Sequence, residues 1–125
     1  SNITGTYIQD LSIALASEEE EVKNLSGGNQ QKVVIAKWMA MNPKVLIMDE
    51  PTRGIDIGAK SEIYAIMRKL TEEGMSIIMI SSEMAEIQKV SDRVIVMHEG
   101  SMTGEMSVDE ATQATIMNAA IGIEN

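Results

Sequence analysis

Several residue types that usually shape a fold are scarce in this sequence. Cysteine and phenylalanine are absent, and tryptophan occurs once. Without cysteine there is no disulfide framework, which suits a reducing compartment. No apolar run reaches the length of a membrane-spanning helix and no signal peptide is visible, so any role at a membrane would be that of a peripheral subunit.

Positive charge is also scarce. Ten Lys+Arg stand against nineteen Asp+Glu, a net charge of -9. This balance argues against nucleic-acid binding and against docking on an anionic membrane surface. The 125 residues are enough for one modest domain with its own core. With no phenylalanine and 11 methionines, we expect methionine and isoleucine to fill that core.

The apolar pattern alternates between helices and strands. Helices are predicted over 28–41, 61–70 and 83–90, and strands over 45–48, 76–80 and 93–97. Asn42-Pro43 and Gly74 end the first two helices, and Ser82 can cap the third. The first strand is a run of consecutive apolar residues, as expected for a strand buried on both faces of a parallel sheet. The alternation predicts an α/β fold.

The pattern changes after the third strand. Glu99-Gly100 predicts a tight turn, and 101–106 an antiparallel partner for that strand. Ser107 and Glu110 have capping-box spacing and predict a final helix to about Ala120. Residues 1–24 form an unassigned leader, in which the opening Ser1-Asn2 resembles a remnant of tag cleavage and suggests an excised piece.

A glycine pair precedes the first predicted helix. In Ser26-Gly27-Gly28 the two glycines let a ligand approach the backbone, and the helix start offers free N–H groups and the positive end of its dipole. Such a site suits an anion, commonly a nucleotide phosphate. A glycine pair alone would equally fit an ordinary helix start, but the whole run 25–31 with Lys32 behind it favours the nucleotide site.

An acidic pair follows the first predicted strand. Because ligands of open α/β sheets bind at the carboxyl ends of the strands, Asp49 is placed to hold Mg²⁺, directly or through water. Glu50 is placed to orient and polarise an attacking water. An apolar strand that ends in an acidic pair is common, but Pro51-Thr52 and then Asp56 make this pattern far more specific.

Together these motifs resemble the signature loop (25–31), the Walker B strand (45–50) and the D-loop (53–56) of ABC-type ATPases. Residues 24–122 resemble the C-terminal half of an ABC transporter nucleotide-binding domain, and most resemble the second ATPase domain of bacterial ribose/galactose/xylose-type importers. The resemblance implies a partial P-loop NTPase fold: a parallel sheet core with flanking helices, lacking the P-loop strand. Residues 25–125 would be the C-terminal part of that domain.

The resemblance also assigns roles to site residues, with ATP and Mg²⁺ as cofactors. It implies nucleotide contacts for Ser26, Gly27, Gly28, Gln30 and Asp56, catalytic positions at Glu50 and Ser82, and a metal ligand at Asp49. Arg53 is expected in a surface or inter-domain ion pair rather than as an arginine finger.

The sequence departs from the family pattern at two places. Ser82 stands where most such ATPases have a histidine that contacts the γ-phosphate, and a serine is shorter and cannot become a cation. The one histidine, His98, is expected at the surface. No Gly-x-x-x-x-Gly-Lys-[Ser/Thr] occurs, and Lys32 has the wrong context for it, so the main ligands of the β- and γ-phosphates are missing.

In this family two nucleotide domains sandwich ATP, and each site joins one domain's P-loop to the other's signature. The resemblance therefore implies an ATPase that powers monosaccharide uptake as a full-length protein and is inactive as this chain alone. The implied partners are a second ATP-binding domain, membrane permease subunits and, indirectly, a periplasmic sugar-binding protein, at the cytoplasmic face of a bacterial plasma membrane.

The missing strand would leave open sheet edges, which predicts a homo-oligomer or a swapped dimer, or else a rearranged sheet. Two other readings stay open. One is a non-catalytic assembly module. The other is a cytosolic ABC ATPase that acts on ribosomes or DNA, which the acidic balance disfavours.

Overall fold

The computed structural model describes residues 27–123, which divide into two compact units. The first unit runs to Ile80 and the second begins at Ser81. Within 27–123 no helix is long and apolar enough to cross a membrane. The predictions for residues 1–24, and those for Leu25 and Ser26, lie outside the described residues.

Within residues 27–80, the first unit contains a parallel pair of strands and two helices. These are α1 (Gly27–Met39), β1 (Val45–Asp49), α2 (Ile57–Glu72) and β2 (Ser76–Ile80). The strands pair in parallel, with Val45 opposite Ser76 at one end and Asp49 opposite Ile80 at the other. Helix α2 connects the strands and packs against both β2 and α1. This is the helical crossover that parallel strands require, as the alternating pattern predicted.

The buried side chains of this unit are mostly aliphatic. They are Ile35, Ala36, Met39, Leu46, Met48, Ile63, Ile66, Met67 and Leu70. Isoleucine and methionine therefore take the place of aromatic residues, as predicted.

One face of the β1–β2 ladder is not covered by any described element. Leu46 and Met48 are buried, whereas Val45, Ile47 and Ile78 on the opposite face are exposed. The prediction that 45–48 is buried on both faces is therefore wrong. A two-stranded ladder with its connecting helix on one side covers only alternate residues of each strand.

Helix α2 begins earlier than its apolar pattern indicated. The Asp56 carboxylate accepts a hydrogen bond from the Ala59 N–H at 2.9 Å and caps the helix, which starts at Ile57 rather than 61. Ile57 is exposed and Ala59 is small, so the first turn adds little to the apolar pattern from which the helix was predicted.

The end of α2 was predicted correctly at Gly74. This glycine has a φ of 97°, in the left-handed region. Its N–H donates to the Thr71 carbonyl at 3.0 Å, and the Met75 N–H donates to the Leu70 carbonyl at 3.1 Å. The two bonds form a Schellman motif, which satisfies carbonyls that the helix leaves unpaired.

The second unit is a β-hairpin with two helices. Its elements are α3 (Met84–Val90), β3 (Arg93–His98), β4 (Ser101–Ser107) and α4 (Gln113–Ala120). Glu99 and Gly100 have φ values of 48° and 81°, typical of the type I′ turn that joins antiparallel strands. The predicted turn and antiparallel partner are confirmed. Among the described strands, β3 pairs only with β4 and β2 only with β1.

The core of this unit lies between the hairpin and α4. Its buried members are Val94, Val96, Ala111, Ile116 and Ala119, with Met84, Ile87 and Met106 packed around them. The final helix begins later than predicted. Ser107 makes no capping bond, and a 3-10 turn, Val108–Glu110, intervenes. Thr112 caps α4 instead, accepting from the Thr115 N–H at 3.1 Å.

The capping prediction for α3 is also wrong. Ser82 is not the N-cap of that helix, because Glu83 occupies the position and makes no side-chain capping bond. The hydroxyl that serves this turn belongs to Ser81, which accepts a hydrogen bond from the Glu83 N–H at 3.1 Å.

Candidate functional site

The acidic pair lies at the carboxyl end of β1. Asp49 is the last residue of the strand and is exposed. Glu50 follows with a φ of 49°, a left-handed conformation that residues other than glycine, asparagine and aspartate seldom adopt. Such conformations persist only where the surroundings hold them, and they are concentrated at functional sites.

Arg53 is the charged neighbour of the Glu50 carboxylate. Its Nη2 lies 3.8 Å from Glu50 Oε1, and the side chains are 73% and 19% exposed, respectively. The distance is too long for a hydrogen bond, and an ion pair with so exposed an arginine is weak. Arg53 therefore sits in a weak surface ion pair with Glu50, as predicted.

The loop between β1 and α2 has a defined backbone. The Arg53 N–H donates to the Glu50 carbonyl at 3.2 Å, and the Ile55 N–H donates to the Thr52 carbonyl at 3.1 Å. Thr52 is 1% exposed, so the middle of the loop is anchored in the protein. These turns connect the acidic pair to the start of α2 with little freedom between them.

Asp56 closes this loop as the N-cap of α2. One of its carboxylate oxygens is engaged by the Ala59 N–H, so part of its role is structural. The other predicted role, a contact with nucleotide, stays a prediction.

The predicted glycine site lies in the first turn of α1, whose first N–H groups have no partner within the helix. Gly27 is exposed, and a Cβ there would come no closer than 3.4 Å to Ile55 Cγ1. Gly28 is buried, and a Cβ there would lie 2.5 Å from Ala59 Cβ. Gly28 therefore lies directly against Ala59 of α2, a contact that sequence reasoning missed. The small pair Gly58-Ala59 was its only signal.

Lys32 takes part in the contact between α1 and α2. Its ammonium forms an ion pair with the Glu62 carboxylate of α2. This role agrees with the conclusion that Lys32 is not the lysine of a phosphate-binding loop.

The two serines before α3 have different environments. The Ser81 hydroxyl donates to Glu86, whose side chain is buried, and it also accepts from the Glu83 N–H. Ser82 is exposed. Ser81 is therefore a structural residue of the second unit, and Ser82 is the serine accessible to a ligand.

The imidazole of His98 makes a specific contact with the main chain of the second unit. Its Nδ1 lies 2.9 Å from the Ala120 carbonyl oxygen. A carbonyl only accepts, so Nδ1 carries the proton. A Cβ on Gly122 would lie 3.0 Å from the imidazole ring. His98 thus lies near the surface, as expected, with 34% of its side chain exposed, and it also connects β3 to the end of α4.

Comparison with known proteins agrees with the motifs. A family model described as ABC transporter matches residues 5–53. The ribose import ATP-binding protein RbsA of Bacillus subtilis is 60% identical over 115 residues, covering 92% of this chain and 23% of that protein. The xylose import ATP-binding protein XylG of Thermoanaerobacter pseudethanolicus is 57% identical over 116 residues, or 93% of this chain and 23% of that protein.

Solved structures show the same fold. MJ1267, an ATP-binding cassette of an ABC transporter, gives a TM-score of 0.69 at 26% identity, covering 80% of this chain and 42% of that one. An ABC transporter in an inward-facing conformation gives 0.70 at 17% identity, covering 78% and 39%. The chain belongs to the ABC transporter ATP-binding family. It spans about a quarter of the curated relatives it matches, 23% in the case of RbsA.

Asp49 is the predicted metal ligand among the described residues. Within 27–123 no group of three or more His, Asp or Glu residues is placed to hold a metal ion. Mg²⁺ in nucleotide sites is commonly held by one or two carboxylates together with phosphate oxygens and water. The single exposed carboxylate of Asp49, at the end of a parallel strand, fits that requirement.

Proposed function

We propose that the chain is the C-terminal part of the second nucleotide-binding domain of a bacterial sugar importer. In the full-length protein this domain couples ATP hydrolysis to monosaccharide uptake. The observation that carries the proposal is the acidic pair, Asp49 and Glu50, at the carboxyl end of a parallel strand. The names of the ribose and xylose import relatives support the substrate class.

The two carboxylates have separate roles in this proposal. Asp49 is exposed and holds Mg²⁺, which neutralises charge on the β- and γ-phosphates when it is bound. Glu50 is partly shielded and weakly paired, so its carboxylate orients and polarises the attacking water. Ser82 provides a neutral hydroxyl at the catalytic position of the second unit.

The start of α1 serves a different nucleotide. Ser26, Gly27, Gly28 and Gln30 complete a site whose P-loop lies on a second ATP-binding domain, since the positive end of a helix dipole favours phosphate oxygens. Asp56 caps α2, the helix that packs against α1, and it contacts the same opposite domain. The segment therefore contributes to two sites.

In this proposal the two sites are unequal, because Ser82 stands at the sequence position where most such ATPases have a histidine that contacts the γ-phosphate. Replacing Ser26 by Ala in the full-length protein should abolish ATP hydrolysis, whereas Glu50→Gln should reduce it less. Steady-state ATPase assays of the assembled transporter measure both, with Glu99→Gln in the hairpin turn as a matched control. Equal losses for Ser26→Ala and Glu50→Gln would contradict the unequal-site model.

The chain by itself lacks a P-loop and should not hydrolyse ATP. Mg²⁺-dependent turnover from the pure 125-residue chain would refute this directly. Its partners in the cell are a second ATP-binding domain, membrane permease subunits and, indirectly, a periplasmic sugar-binding protein. We place it peripherally at the cytoplasmic face of the plasma membrane.

A further inference from the structure

The first turns of α1 and α2 approach each other closely at one point. A Cβ on Gly28 would lie 2.5 Å from Ala59 Cβ and 3.6 Å from Ala59 Cα. Carbon atoms do not approach to the shorter of these distances in a packed interior. Alanine has no flexible end that could move aside, so a larger residue at 28 forces the helices apart.

The neighbouring glycine provides a contrast. A Cβ on Gly27 would lie at an ordinary contact distance, 3.4 Å, from Ile55 Cγ1. Both glycines belong to the same motif and the same helical turn, but only Gly28 lacks room for a methyl group. The steric requirement is therefore specific to one position.

The contact continues into the next turn. Lys32, four residues after Gly28, pairs with Glu62, three residues after Ala59. Residues at these spacings lie on one face of a helix, so the two helices are held together over successive turns. The start of α2 is held in turn by the Asp56 cap at the end of the loop that carries Glu50.

We propose that Ala59 is a positioning residue that makes glycine obligatory at 28. It sets where the backbone N–H groups of Gly27 and Gly28 point. The inference rests on the proposed function, in which those groups face a nucleotide. It differs from the expectation that glycine at 28 serves ligand approach, because the atom that excludes a side chain belongs to the protein.

An exchange of the two residues tests this. In the 125-residue chain, Gly28→Ala should lower the thermal midpoint by about 5 °C or more, because a methyl is forced into a filled space. The double variant Gly28→Ala/Ala59→Gly adds a methyl group at 28 and removes the one at 59. Its thermal midpoint should therefore return most of the way to that of the parent. Gly27→Ala is the matched control for stability and should stay within about 2 °C of the parent.

The same variants in the full-length transporter give the functional reading. Below its unfolding range, Gly28→Ala should lower kcat for ATP about tenfold or more, since a displaced helix start misplaces its N–H groups. The exchange variant should recover to within about threefold of the parent. If the exchange regains the midpoint but not kcat, ligand approach demands Gly28 and the proposal is wrong.

A failure to regain the midpoint also overturns it. If Gly28→Ala does not fold, the exchange variant alone decides between these outcomes. A parent transporter without ATPase activity would overturn the proposed function, while the thermal series would still decide the role of Ala59.

Discussion

The backbone N–H of Glu50 donates a 2.7 Å hydrogen bond to the carbonyl of Ile80. This bond continues the β1–β2 ladder beyond Asp49, the last residue of β1. It holds the Glu50 main chain while that residue takes a left-handed φ of 49°. The placement of the candidate catalytic carboxylate thus depends on the sheet rather than on the weak ion pair with Arg53.

The left-handed conformation of Glu50 predicts that the free energy of unfolding depends on which residue replaces it. Glu50→Gly and Glu50→Ala both remove the carboxylate, but only glycine adopts positive φ without steric cost. Glu50→Gly should therefore be more stable than Glu50→Ala by about 1 kcal/mol in urea unfolding of the chain. Equal unfolding free energies for the two variants would mean that the left-handed conformation is not maintained in solution.

The capping role of Asp56 can be separated from its proposed nucleotide role. Asp56→Ala removes the acceptor for the Ala59 N–H and should cost about 1 kcal/mol of unfolding free energy, whereas Asp56→Asn keeps an acceptor and should cost much less. Chemical denaturation of the chain measures both. If Asn loses as much stability as Ala, the side chain is not the cap that stabilises α2.

Much of the fold follows from local pattern. The short apolar runs 45–48 and 77–80, preceded by proline and glycine, predicted β1 and β2 correctly as strands, although neither strand is buried on both faces. Gly74 predicted the end of α2 because glycine adopts the left-handed conformation after a helix without steric cost. These signals lie within a few residues, and so they survive without knowledge of the tertiary structure.

The predictions failed where residues distant in the sequence determine the local structure. Ser107 and Thr112 both suit a helix start, but only Thr112 makes a side-chain capping bond, and buried Ala111 lies between them in the core of the second unit. The position of the acidic pair after a strand was enough to predict it. The steric requirement for glycine at 28 could not be predicted in this way, because it depends on how closely α2 approaches α1 at Ala59.

His98 gives a test of the second unit. His98→Ala removes the donor to the Ala120 carbonyl and should cost about 1 kcal/mol of unfolding free energy. His98→Asn can place an amide N–H near the same carbonyl and should recover part of that loss. The measurement is urea unfolding of the chain, monitored by circular dichroism. Parent-like stability in His98→Ala would show that the contact with the end of α4 contributes nothing.

The uncovered face of the β1–β2 ladder predicts self-association. Ile47 and Ile78 are direct cross-strand partners, and they are 65% and 53% exposed. Neighbouring apolar side chains on a ladder with open edges favour association with another copy. We expect the pure chain to have a mass above that of a monomer in light scattering, increasingly so at higher concentration.

A charge on that face should oppose the association. Ile78→Lys places an ammonium opposite Ile47 and should shift the measured mass toward the monomer, because burying an unpaired charge is costly. Ile57→Lys is the matched control, since Ile57 is 84% exposed in the first turn of α2, away from the ladder. It should behave as the parent. A monomeric parent at high concentration, or the same shift in both variants, would show that the ladder face does not mediate self-association.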